Sequence, residues 1–158
     1  MPPTLAPKAA TVALDQTTLV RFRNVCTDPG GGKTLGFWSN KHGQLLVGTD
    51  DLAMLKLLNL RRADGGDFEP TKYAELRTWL LNGTAVNMAY MLSVQMAAMQ
   101  PNVYHGLVSG GSLIHVGKDA SLAWVTPTGF ATVSNVLAAA NASLGADGYT
   151  PSDDLLRD

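Results

Sequence analysis

The chain has 158 residues, 46% of them hydrophobic and 16% charged, and a formal net charge of −1. This composition excludes a disordered chain and fits one domain whose core needs no disulfide or metal staple. Near-zero net charge removes the electrostatic case for nucleic acid, and no apolar run reaches the ~18 residues of a membrane span, so neither nucleic acid nor membrane insertion is expected.

Residues 1–10 read as a linker-like lead. Prolines at Pro2, Pro3 and Pro7 favour an extended course, and the stretch lacks the apolar centre of a signal peptide. The opening has the character of an interdomain linker, as at the start of a fragment cut from a longer protein. A single domain is expected over 11–150, with 151–158 a frayed polar tail.

Thr11–Leu14 and Thr17–Cys26 read as strands. In the second, Val20, Phe22, Asn24 and Cys26 alternate with Leu19, Arg21, Arg23 and Val25, the period of two that a pleated strand imposes. Cys26 is the only cysteine, which forbids an intramolecular disulfide and reads as a small buried hydrophobe. The turn residues Thr27-Asp28-Pro29-Gly30 follow.

Gly30 to Gln44 is the densest stretch, with glycines leading into Phe37 and Trp38 and then into Ser39, Asn40, Lys41, His42 and Gln44. It reads as an ordered loop pinned into the core by its rings. Gly30–Thr34 is not a phosphate loop, because the first glycine of that motif falls on Thr27 and no helix is expected after Thr34. Trp38, Asn40, Lys41, His42 and Gln44 are the candidate binding residues, since an aromatic platform beside a row of donors and acceptors suits a sugar or a proline-rich partner; core packing is the preferred reading of the rings, and satisfying loop backbone groups that of Ser39, Asn40 and Gln44. Lys41, His42, Asp50 and Asp51 are the candidates for acid–base work, and no spacing among them fixes a geometry.

Thr49 caps an expected helix to about Leu60, with Asp50 and Asp51 in its first turn and Arg61 and Arg62 at its negative end. The loop Ala63–Asp67 alternates acids without the closing glutamate of a calcium loop. A second helix is expected from Pro70 to Leu81, and a third from Thr84 to Gln100, apolar nearly all round and therefore central. Ala89, Ser93 and Ala97 leave a shallow groove on it for a neighbouring helix. Val103–Val108 and Ser112–Val116 flank Ser109-Gly110-Gly111 as a β-hairpin, which would bring His105 and His115 together as weak metal candidates. A fourth helix is expected from about Thr128 to Leu144. No cofactor is indicated.

From Val25-Cys26 to Gln44 the sequence resembles a family of uncharacterised bacterial cell-surface and extracellular proteins marked by a "GFWSNKxGQ" box. The similarity extends through Thr78–Asn82, Asn87–Ser93, Ala97–Met99 and Gly129–Val133. His42 stands where the family pattern often has Asn. The resemblance implies export, an extracellular or cell-surface setting, and a C-terminal module that follows surface repeats.

The expected fold is α+β: about four helices around the apolar helix 84–100, with a small antiparallel sheet drawn from 11–26 and 103–116. The expected function is a non-enzymatic structural or adhesive module, self-assembling through its N-terminal strand, whose partner is another copy of itself or a cell-surface glycan. The alternatives are a secreted hydrolase acting on carbohydrate or peptidoglycan through paired carboxylates, and a glycan- or metal-binding module.

Overall fold

The computed structural model describes residues 31–117 and 123–150. In chain order its elements are α1 (Leu35–Trp38), α2 (Lys41–Leu46), α3 (Thr49–Lys56), α4 (Tyr73–Leu81), α5 (Met88–Tyr104), β1 (Leu113–His115), β2 (Phe130–Thr132) and α6 (Val133–Ala146). The α+β class holds: a mainly helical domain carries one small antiparallel sheet, with Leu113 opposite Thr132, Ile114 opposite Ala131 and His115 opposite Phe130. The expected strands within 11–26, Cys26 and the tail 151–158 lie outside the described residues.

Helix α5 is the organising element. Ala89, Tyr90, Ser93, Val94, Met96, Ala97 and Ala98 are buried along it, against Trp38 from α1, Leu55 from α3, Leu76, Trp79 and Leu80 from α4, and Leu144 from α6. Each fully buried leucine among these contributes about 1.5–3 kcal/mol relative to an exposed one. The all-round burial expected for this helix is not realised, because Leu92, Gln95 and Met99 lie exposed on one side. What approaches most closely at Ser93 is also not a helix but the extended stretch after α3. There the Arg61 N–H donates to Ser93 Oγ at 2.9 Å, and Ser93 Oγ–H donates to the Ala89 carbonyl.

Several boundaries differ from the sequence reading for identifiable reasons. α5 is capped by Asn87 rather than Thr84, since the buried Asn87 amide oxygen accepts from the Ala89 N–H. α4 starts at Tyr73, three residues after Pro70. α3 has Gly48, not Thr49, at its N-cap, and half of a capping box: Asp51 Oδ2 accepts from the Gly48 N–H at 2.9 Å. α3 ends at Lys56, so Arg61 serves a different helix. Its guanidinium donates to the Leu144 carbonyl in the last turn of α6 and pairs with Asp67.

The hairpin expected between Val103–Val108 and Ser112–Val116 is absent. Pro101 does not end α5; the ladder resumes beyond it, with the His105 N–H donating to the Pro101 carbonyl at 2.9 Å. Leu113–His115 pairs instead with Phe130–Thr132, which had been expected inside the fourth helix. That helix begins only after Thr132, whose hydroxyl accepts from the Asn135 N–H, and Gly129 at φ +83° turns the chain into β2.

Candidate functional site

The stretch that carries the candidate binding residues is pinned into the core by Trp38, as its rings predict. Gly36 to Gln44 forms α1 and α2, not a loop, and each expected site residue has a defined place. Trp38 is 1% exposed, stacked on His105 at 5.9 Å and edge-on to Phe37, so its ring is core and no platform. Asn40 is the N-cap of α2, its Oδ1 accepting from the His42 N–H at 2.7 Å and the Gly43 N–H at 3.3 Å. Lys41, His42 and Gln44 are exposed on α2, with His42 stacked on Phe37.

Contacts from α4 lock this pair of turns. The Tyr73 hydroxyl reaches the Asn40 carbonyl at 2.7 Å and the Trp38 carbonyl at 3.1 Å, and Arg77 Nε donates to the Ser39 carbonyl. Burial raises the Tyr73 phenol above its ordinary value near 10, with Arg77 opposing, and burial likewise raises Tyr90. A folded-state value above the unfolded one leaves stability unchanged below pH 10 and removes it as pH rises through the folded value. Denaturant unfolding from pH 9 to 11 is therefore expected to show a fall confined to the alkaline side. Tyr73→Phe should flatten part of that fall and cost about 1–2 kcal/mol at pH 7 through its lost bonds.

The two histidines are not joined. His105, at the C-terminal end of α5, bonds Asp51 through Nε2 at 2.8 Å, while His115 packs edge-on against Phe130. Asp51 is thereby occupied on both oxygens, by Gly48 and by His105. Among the described residues no three of His, Cys, Asp and Glu converge as a metal site.

Two surfaces outside the box have the properties of contact sites. The first is β1 with the face of α5 and α6 beside it. Val116 donates to Gly129 and Ser112 accepts from Val133, so residues 112, 114 and 116 turn their backbone groups toward β2. Leu113 and His115 therefore turn theirs outward, where they meet no partner among the described residues. The other edge of the sheet is closed at Phe130, whose carbonyl accepts from the Thr126 N–H and whose N–H donates to the Thr126 hydroxyl. On the face shared with Ile114 lies an apolar trough of 270 Å³, lined in part by Leu92, Met99, Val136, Leu137 and Ala140. Ile114 and Val116 are each 40% exposed beside it.

The described chain also begins near this sheet. Asn102 clasps Lys33 at two points, accepting from its N–H at 2.6 Å and donating to its carbonyl at 2.8 Å. Gly31 and Gly32 then lie against Leu107 and Val108, a few residues before β1.

The second surface is a cleft of 720 Å³ between α4 and the 61–68 segment. Its floor is a ring cluster in which Phe68 stacks on Trp79 at 4.3 Å and Trp79 meets Tyr90 at 5.5 Å. The Trp79 indole N–H donates to the Arg61 carbonyl and the Tyr90 hydroxyl to the Trp79 carbonyl, so the floor is polar-satisfied. One wall is the α4 stripe Glu75, Thr78 and Asn82; the other is Arg62, whose guanidinium lies 5.0 Å from the Phe68 ring centre. The Thr71 N–H and hydroxyl hold the Glu75 carboxyl below the usual carboxylate range, so it is ionised at neutral pH.

Sequence reasoning missed both surfaces. The turn signal Thr126-Pro127-Thr128-Gly129 ahead of Phe130-Ala131-Thr132 would have revealed β2, and the spacing of Glu75, Thr78 and Asn82 marks one polar helix face. No helix among the described residues is long and apolar enough to cross a membrane. Comparison of the chain with protein-family models, with curated proteins and with solved structures gives no match in any of the three.

Proposed function

We propose that this chain is a structural or adhesive module of an extracellular or cell-surface assembly, in which residues 17–26 of one copy add as a strand to the outer edge of β1 in a second copy. The observation that carries the reading is the outward backbone of Leu113 and His115 beside an apolar trough. An added strand gains main-chain bonds at those residues, and its alternate side chains drop toward Ile114. Val20 and Phe22 share one face of the 17–26 alternation and supply the apolar groups that the trough lacks.

Exchange between copies is favoured by the short link. Asn102 fixes Lys33, and only Thr27–Gly32, with Pro29 among them, separates that anchor from the strand. A short hinge limits folding back and promotes swapping of the element it carries. The extracellular setting rests on the resemblance of the Gly36–Gln44 box.

Light scattering over a concentration series tests the reading. The chain is expected to exceed its 16.7 kDa single-chain mass as concentration rises. Ile114→Asp, which loses part of a buried apolar side chain and a β-branched strand residue at a cost of about 1–2 kcal/mol of stability, should hold the protein at that mass throughout. A wild-type chain that keeps its single-chain mass at every concentration overturns the proposal.

A further inference from the structure

The trough beside β1 also holds an oxidisable side chain. We infer that Met99 is a reversible oxidation site whose sulfoxide blocks association of copies at the β1 edge, the second half of which rests on the strand contact proposed for that edge.

Met99 lies in the C-terminal half of α5, on the side left open with Leu92 and Gln95. At 36% exposure it is the one exposed methionine among the described residues. Met54, Met88 and Met91 are half-buried, and Met96 is buried. The Met91 sulfur is further engaged as an acceptor from the Gln95 amide at 3.9 Å. Oxidation of a thioether requires a sulfur that the oxidant can reach, so exposure singles out Met99.

The surroundings give that modification a consequence. Met99 shares the trough with Leu92, Ile114, Val136, Leu137 and Ala140, and Gln95 is the one polar side chain lining it among the described residues. A flexible thioether fills an irregular apolar seat and makes a favourable contact with an aromatic ring, which Phe22 of the incoming strand supplies. The oxidant class is a peroxide. A sulfur lone pair takes one peroxide oxygen, the O–O bond breaks, and the other oxygen leaves with the proton, as water when the oxidant is hydrogen peroxide. Sulfur loses two electrons and the peroxide gains them. The sulfoxide oxygen is a strong acceptor, and seating a strand over it would bury it in an apolar lining, a cost that separate copies avoid. A dithiol-dependent sulfoxide reductase reverses the step, the dithiol becoming a disulfide and the oxygen leaving as water. The coupling is mutual, because a seated strand covers Met99 and shields its sulfur.

The test exposes the full chain to stepped doses of hydrogen peroxide, with peptide mass analysis and light scattering on the same samples. Sulfoxide is expected at Met99 ahead of Met54, Met88, Met91 and Met96, and to form there more slowly as chain concentration rises into the associating range. At the dose that converts Met99 alone among these, association should weaken tenfold or more at unchanged melting temperature, and a sulfoxide reductase with dithiothreitol should restore it. Met99→Leu keeps the apolar lining without the sulfur and should still associate at that dose. Met99→Gln sets a polar amide at the same place and should weaken association with no peroxide added. Earlier oxidation of another of these methionines, a Met99 rate unmoved by association, association that persists with Met99 fully oxidised, or the same loss in Met99→Leu each overturns the inference and leaves the strand contact standing. A wild-type chain that never associates overturns the strand contact, and control by Met99 with it.

Discussion

Gly43→Ala is expected to cost about 3 kcal/mol, lowering the melting temperature by about 6–12 °C. A Cβ at this position would stand 2.7 Å from Trp38 Cα and nearer still to the Phe37 carbonyl oxygen. Both obstacles are backbone, so no rotamer change relieves them. Gly43 is buried where the first turn of α2 lies against α1, and Asn40 holds that turn through the Gly43 N–H. The glycine is therefore a packing requirement of the Gly36–Gln44 box. Gly106→Ala supplies the control, since Gly106 has φ +68° but open space around it. It should lose only the left-handed backbone penalty, about 1–2 kcal/mol. Thermal and denaturant unfolding of the two variants side by side separates collision from conformation.

Asn87→Ala is expected to lose a similar amount, about 3 kcal/mol, through a different mechanism. Asn87 is 1% exposed and ties three parts of the chain together. Its Oδ1 accepts from the Ala89 N–H at 3.0 Å and the Thr150 N–H at 3.1 Å. Its two amide protons are shared among the carbonyls of Arg62, Ala63 and Gly148 at 3.3–3.4 Å. Alanine leaves those buried groups unpaired and removes the cap of α5. Asn82→Ala, an exposed asparagine that caps the end of α4 through its backbone alone, should change stability by roughly 0.5 kcal/mol or less. Urea unfolding of both variants reads the difference.

The longer helices were legible because their sequences carry two signals at once. Tyr73, Leu76, Trp79 and Leu80 repeat at helical spacing and end at Asn82-Gly83, and the apolar run of α5 has no strand alternative at its length. Where the signals conflict, the fold chose by tertiary contacts. Val103-Tyr104 has strand-forming residues after a proline, yet it continues α5 because Asn102 is anchored on Ala98 and Lys33, a partner far away in sequence. Phe130-Ala131-Thr132 is apolar enough to begin a helix, and it becomes a strand because β1 is there to pair with it.

The candidate site was hidden for a related reason. Capping and ligand binding draw on the same residue types, so Asn40 stood among the binding candidates as well as among the residues expected to satisfy backbone groups, and it is a cap. Trp38 packs into the core as its ring predicts, stacked on His105 at the end of α5. The open strand edge has no local signature at all, since exposure of Leu113 and His115 depends on which strand they pair with. The polar stripe of α4 was readable, but the rings beneath it come from three separate segments.

We propose the edge of β1, rather than the Gly36–Gln44 box, as the contact between copies. The most direct measurement is photo-cross-linking from position 22 in an equal mixture of isotopically heavy and light full-length chains, followed by peptide mass analysis. The account expects heavy-to-light links from position 22 to Met99, Ile114 or Val136. Links confined to single chains, or heavy-to-light links landing away from that trough, would contradict it.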